Sequence, residues 1–251
     1  MIKFSNDHAM PKPPDEFIEE LMSGRELFHK GRATHILIIQ GKLSKEQVKT
    51  WVKQYHYYRA NVPRKELYIL ANCPIQAVRL ERVKKYLDEE DDRLIGGKTG
   101  PHSESWLRLG DGLGIAREEM ESFGDVIPEY RLLCDSWLNY ARDHSWLEGA
   151  AMSFDEDVGT GKGGQRMQLA EALSKFYGVP DWGLVHYAVH AELDIEHGAS
   201  THDLIRRYAV TDEAQEGVRR AVRFKRAFRP LEDRCLRIAC KIDPRLLVDL
   251  D

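Results

Sequence analysis

Along most of the chain, apolar residues recur every three or four positions among polar ones, which is the spacing of an amphipathic helix. One such pattern starts at Pro128 and predicts a single core-facing helix that reaches about Glu156. No convincing pair of segments shows the alternation that predicts strands. The pattern therefore predicts an all-α fold, a bundle of roughly seven or more helices whose interior is the natural place for a metal or substrate site.

Capping and breaking residues place the ends of these helices. Ser44 and Gln47 predict a capping box at the start of a long helix that continues, with a kink, past Pro63. The sequence Asn72-Cys73-Pro74 ends that helix, and Gly178 predicts the C-terminal cap of another. The remaining predicted segments are a flexible N-terminal arm over residues 1–13 and, within a single helical domain over 14–251, helices over about 15–27, 34–40, 74–92, 103–113, 116–123, 165–177, 181–208 and 211–241.

Charge and composition narrow the class of protein. The formal net charge is -4 and residues of both signs are interspersed, which argues against nucleic acid as a partner. No apolar run reaches the length of about eighteen residues that predicts a membrane span, and the N-terminal residues lack the features of a signal peptide. A soluble, cytoplasmic protein is therefore predicted, and its four cysteines are predicted to be reduced thiols.

One predicted helix concentrates the side chains that bind metals, in the sequence from His190 to His197. Because a helix advances about 100° per residue, His190, Asp194 and His197 project from a single face. Two imidazoles and a carboxylate suit divalent iron or a similar transition metal. A structural role for these side chains remains the alternative interpretation of the spacing alone.

Two acidic runs could supply further ligands. The five acids at 88–92 end one predicted helix, where negative side chains oppose the helix dipole, although a solvated helix end would also explain them. The three acids at 155–157 follow the apolar helix from Pro128, and any of them that points inward would need a cation as its partner. The glycine-rich run at 159–164 lacks the spacing and the preceding strand of a phosphate-binding loop.

Several segments resemble landmarks of the pyrroloquinoline-quinone synthase C family, and they span residues from about 25 to 230. They are Trp51-Val52, Tyr57-Tyr58, Pro63-Arg64-Lys65-Glu66, Ala71-Asn72-Cys73-Pro74, Trp106-Leu107-Arg108-Leu109-Gly110, Leu138-Asn139-Tyr140-Ala141-Arg142 and Asp194-Ile195-Glu196-His197-Gly198. The resemblance implies a haem-oxygenase-like helical bundle and a homodimer. It also implies an oxidase, since the family's archetype oxidises its substrate with dioxygen without a metal or organic cofactor.

The sequence departs from that family at the site itself. The position of Glu89 resembles an active-site histidine of the cofactorless enzymes, and the position of His190 is not a histidine in them. The pattern instead resembles the haem-oxygenase-like diiron oxidases and oxygenases, whose ligands are a Glu and a His from one region, a Glu from a second helix and His-x3-Asp-x2-His from a third. This resemblance implies two non-haem irons, with manganese as an alternative, held by Glu89, His102, Glu156, His190, Asp194 and His197, with Glu90 as the fallback for Glu89.

The same resemblance implies that Lys225 lines the active site, and Tyr58 and Tyr187 are candidates for a similar catalytic role. Core packing of the aromatic rings and a solvated cation are the alternatives. Glu148 is expected to orient a ligating histidine. Weaker candidates for substrate contact are Tyr55, His29 and Arg64, whereas His35, His144, His186 and His202 are expected to be structural or surface residues.

Together these patterns predict a diiron enzyme that uses dioxygen to oxidise a small polar or amino-acid-like metabolite. A cofactorless oxidase is the first alternative. A non-catalytic protein that binds a small ligand on the same fold is the second.

Overall fold

The structure is a computed structural model that describes residues 10–25, 32–90, 102–160 and 163–248, apart from the side chains of Asp88, His102 and Glu192. Within these ranges all regular secondary structure is helical, which confirms the predicted all-α class. The α-helices are α1 (Pro14–Met22), α2 (Ala33–Ile39), α3 (Lys45–Asn72), α4 (Gln76–Glu90), α5 (His102–Leu113), α6 (Arg117–Ser122), α7 (Pro128–Asp143), α8 (Trp146–Ala151), α9 (Gln165–Tyr177), α10 (Val185–Tyr208) and α11 (Asp212–Ala239). None of these described helices has the length and hydropathy of a membrane span.

The central helix of the bundle is α3, which packs against α4, α5, α7, α8 and α11. Its start is the predicted capping box, because Ser44 Oγ accepts from the Gln47 amide at 3.2 Å while Gln47 Oε1 accepts from the Ser44 amide at 2.9 Å. The helix runs through Pro63 and ends at Asn72, as the sequence predicts. Trp51 and Tyr55 on its buried face pack with Trp106 of α5 into the aromatic interior.

The prediction of a single helix from Pro128 to Glu156 is wrong. The chain leaves the helix at His144, which is extended, and starts α8 after Ser145. Ser145 Oγ accepts from the Glu148 amide at 3.3 Å, and the Glu148 carboxylate accepts from the Ser145 amide, so a second capping box interrupts the apolar pattern. The residues after α8 form consecutive turns, and Glu156 lies in them instead of at a helix end.

Other boundaries differ by a few residues. α1 ends at Met22, before Gly24 with its positive φ of 83°, and the rest of the predicted 15–27 helix from 26 onward lies outside the described residues. The helix predicted from 181 is divided into a 3-10 turn at Asp181–Gly183 and α10. Of the predicted N-terminal arm, residues 1–9 lie outside the described residues, and Lys12 exchanges two backbone hydrogen bonds with the Gln215 side chain of α11.

Candidate metal and substrate site

The histidine-rich segment of α10 turns one face into the bundle. His190, Asp194 and His197 are 6%, 2% and 4% exposed, whereas Ile195 and Glu196 between them face outward. His190 Nδ1 lies 2.9 Å from Asp194 Oδ1, and His197 Nδ1 lies 4.0 Å from the same oxygen. The three side chains therefore share one buried face, as their spacing predicts.

Two carboxylates reach this face from other elements. Glu89, near the end of α4, is 1% exposed, and Glu156 enters from the turns after α8. One oxygen of each carboxylate and one nitrogen of His197 lie within 4.8 Å of one another. Two carboxylates and an imidazole at this separation can hold a divalent metal ion. Glu90, the fallback for Glu89, is exposed, so of these two glutamates Glu89 is the one that faces the site.

His102 is the first residue of α5, and its side chain lies outside the described part of the structure. The predicted position of this ligand therefore stays a prediction.

Glu89, Glu156, His190, Asp194 and His197 form one cluster, and side-chain cations contact its carboxylates. Lys85, one turn before Glu89 on α4, donates to Glu156, and Arg166 of α9 contacts Asp194. Burial alone would raise the pKa of Glu156, but the positive charge of Lys85 holds it well below the usual range. Burial lowers the pKa of Arg166 to about 9, and this residue remains largely charged at neutral pH. Glu156 and Asp194 are thus each paired with a side-chain cation.

The neighbouring acids of the 155–157 run are also paired, as expected for inward-facing charges. Asp155 is 3% exposed and accepts from Arg226 at 2.8 Å and from Arg25 at 3.1 Å. Arg25 also donates to Asp157. These pairs anchor the segment that carries Glu156 to α11 and to the residues after α1.

A cavity adjoins the His190 and Asp194 side of the cluster. Its aromatic walls are Trp51, Tyr55, Tyr58, Trp106, Trp137 and Tyr187. Its basic side chains are Arg32, Arg59, Lys65, Arg166, Lys225 and Arg229. The acids that line it are Asp155, Glu156 and Asp194, so basic side chains outnumber acidic ones. Such a lining favours a small ligand that carries negative charge and an apolar or planar part.

The three predicted catalytic residues all line this cavity. Lys225 Nζ donates to Tyr58 Oη at 2.9 Å and lies 4.4 Å from the centre of the Phe228 ring. Burial and the nearby charge of Arg229 lower the pKa of Lys225 well below its usual value. Burial raises the pKa of both Tyr58 and Tyr187, which keeps the phenols protonated. A lysine amine with a lowered pKa next to a phenol is suited to accept and return a proton.

Of the remaining predictions for the site, some agree with the structure and others are wrong. Arg64 is exposed and bonds to Asn61, so its predicted place in the cavity is wrong. The prediction that Glu148 orients a ligating histidine is also wrong, because Glu148 caps α8 and accepts from Arg220 at 3.0 Å. Tyr55 lines the cavity, as predicted. His29 lies outside the described residues.

His186, which the sequence suggests is merely structural or surface, lies at the site. Its ring centroid is 4.4 Å from that of His190, and its Nδ1 is 3.0 Å from Ser105 Oγ. The signal was present in the sequence, because His186 precedes His190 by four residues and so shares its helical face. His35 also lines the cavity, where burial lowers its pKa well below the usual range.

Gly198, directly after His197, lets the segment that carries Glu156 approach α10. A Cβ atom at position 198 would lie 2.8 Å from the Asp157 Cβ, so the Gly198→Ala variant must displace that segment. At an open helical position alanine would stabilise by roughly 0.5–1 kcal/mol. Here we expect a net loss of about 1–3 kcal/mol in the free energy of unfolding, measured in urea. Gly110→Ala is the control, because its Cβ would meet only the flexible Met120 side chain, and equal stability of the two variants would contradict the prediction.

Comparison with solved structures shows the fold. A heme oxygenase-like domain of unknown function from Shewanella denitrificans superposes with a TM-score of 0.65 over 91% of this chain and 89% of that one, at 13% identity. A TenA homologue from Pseudomonas syringae gives 0.61 over 94% and 97%, at 10% identity. These likenesses confirm the predicted haem-oxygenase-like helical bundle.

Sequence comparison identifies closer relatives. A pyrroloquinoline-quinone synthase of Acinetobacter baumannii is 33% identical over 142 residues, which are 57% of this chain and 55% of that protein. One from Pseudomonas putida is 36% identical over 148 residues, or 59% and 57%. The chain thus spans little more than half the length of these relatives. The model of the TENA/THI-4/PQQC family matches a longer stretch, residues 29–228, and the chain therefore belongs to this family.

Proposed function

We propose that the chain is a non-haem diiron oxidase or oxygenase that uses dioxygen to oxidise a small metabolite. The observation that carries the proposal is the convergence of Glu89, Glu156 and His197 beside the His190–Asp194 pair. These donors fit the group, because mixed carboxylate and imidazole ligands suit iron, and manganese accepts the same set.

The residues that would hold the ions are Glu89, His102, Glu156, His190, Asp194 and His197. When bound, the iron supplies the chemistry of dioxygen activation that protein side chains lack. The curated relatives are named pyrroloquinoline-quinone synthases, which supports an enzymatic role for the chain. The proposal differs from a cofactorless oxidase in assigning the carboxylate cluster to metal binding.

The chain's own residues bind the substrate and move protons. The excess of cations along the cavity favours a substrate with a carboxylate or another anionic group, in keeping with an amino-acid-like molecule. The aromatic walls exclude water from the reacting part of that substrate. Lys225 Nζ accepts a proton from the substrate, and Tyr58 Oη, at 2.9 Å, holds the amine in place.

Reconstitution with Fe²⁺ under anaerobic conditions tests the proposal. We expect about two iron ions per chain by metal analysis and an optical change that requires dioxygen. Protein without iron above background would contradict the metal site.

The alternatives give different results in the same experiment. A cofactorless oxidase is favoured by the buried Lys225–Tyr58 pair, which supplies proton transfer without a metal, and it predicts that turnover survives a strong chelator. A non-catalytic binding protein predicts that iron-loaded protein shows no dioxygen-dependent change with any polar metabolite tested.

A further inference from the structure

Two side-chain cations contact the cluster, and the carboxylates that they contact are proposed metal ligands. Lys85, 5% exposed on the inner face of α4, donates to Glu156. Arg166, in the first turn of α9, contacts Asp194 and donates from Nη2 to the Glu156 carbonyl oxygen at 3.2 Å. Each of these carboxylates is thus engaged by a positive charge of the protein.

A divalent metal ion and these cations have overlapping requirements. Both are attracted to the same two carboxylates, and positive charges at such short range repel strongly where burial keeps the effective dielectric low. Binding of metal through Glu156 and Asp194 therefore requires Lys85 and Arg166 to give up or lengthen these contacts.

Each of the two cationic side chains has an alternative position in the structure. Lys85 is three residues from Arg82 on the same face of α4, and Arg82 contacts the buried Glu66 of α3. Glu66 therefore packs against the face of α4 that carries Lys85. Arg166 lines the cavity, where it can turn toward the space that a negatively charged substrate would occupy. Lys85 and Arg166 therefore each keep stabilising surroundings after they are displaced from the carboxylates.

We infer that Lys85 and Arg166 are internal counter-ions that compete with metal ions for Glu156 and Asp194 and thereby weaken metal binding. This inference rests on the proposed metal site. It adds that the site is tuned to bind metal less tightly than its ligands alone would allow, and that metal loading frees Arg166 for the cavity.

Two charge-removing variants test the competition, Lys85→Met and Arg166→Gln. We expect each to bind Mn²⁺ at least about tenfold more tightly than the wild type, within the range typical of coupled binding. The dissociation constant is measured on the full chain from the electron paramagnetic resonance signal of free Mn²⁺. Without added metal, Lys85→Met should also unfold at a lower temperature and gain more stability from Mn²⁺ than the wild type does.

Two controls separate the effect of charge from that of substitution. Lys85→Arg keeps the charge and should bind Mn²⁺ as the wild type does. Lys53→Met makes the same exchange at an ion pair with Asp125 and Glu119, away from the cluster, and should also leave the constant unchanged.

Several outcomes decide the inference. Unchanged or weaker Mn²⁺ binding in both Lys85→Met and Arg166→Gln overturns it, while wild-type binding would leave the proposed metal site standing. Absence of Mn²⁺ and Fe²⁺ binding in the wild type and both variants overturns the metal site and the inference together. If Lys85→Met loses its fold without metal, recovery of helical structure on addition of Mn²⁺ supports the inference, and Arg166→Gln still gives the affinity.

Discussion

Replacing His197 with alanine is expected to weaken metal binding at least about 100-fold, since loss of even a residue that orients a ligand costs about 10–100-fold. His197 is an imidazole that approaches both Glu89 and Glu156, so its loss removes the nitrogen donor from this three-residue group. Dioxygen consumption should fall to background with the metal. Metal content after desalting and the rate at an oxygen electrode measure the two effects.

His202→Ala is the matched control for this variant. His202 lies on the same helix, but its Nε2 is 2.9 Å from the Phe154 carbonyl oxygen, outside the cluster. The control should retain its metal and lose at most some stability. Wild-type metal content in His197→Ala would remove that residue from the ligand set.

The part of the site that the sequence predicts best is the part carried by one helix. His190, Asp194 and His197 are related by helical periodicity alone, and their shared burial needs no knowledge of the rest of the fold. The choice between Glu89 and Glu90 could have been made in the same way. Arg82, Lys85 and Glu89 recur at spacings of three and four residues and form the buried face of α4.

Other features depend on segments that are distant in the chain. The contact of Lys85 with Glu156 joins residues 71 positions apart, and periodicity carries no information about such a pair. The break between α7 and α8 was missed for a different reason. The capping pattern from Ser145 to Glu148 is local, but the apolar spacing runs across it and favours an uninterrupted helix.

The buried glutamate on α3 should contribute strongly to the stability of the bundle. Glu66 is fully buried on α3, where it contacts Arg82 and lies 2.8 Å from Lys65 Nζ. Burial by itself would raise the pKa of Glu66, but the charges of Arg82, Lys65 and Lys85 lower it well below the usual range. The side chain is therefore a permanent anion that balances several buried cations.

Glu66→Gln removes this anion with little change in shape and leaves the buried cations without their counter-charge. We expect a loss of about 3–5 kcal/mol in the free energy of unfolding in urea at neutral pH. Because the folded pKa of Glu66 is lowered, the wild-type advantage is fully present above the unfolded pKa of about 4.3 and shrinks as the pH falls below it. Asp143→Asn, which removes an exposed pair with Arg142, should change stability by less than about 1 kcal/mol. A similar small change in Glu66→Gln would mean that Arg82 and Lys65 are stabilised by other groups.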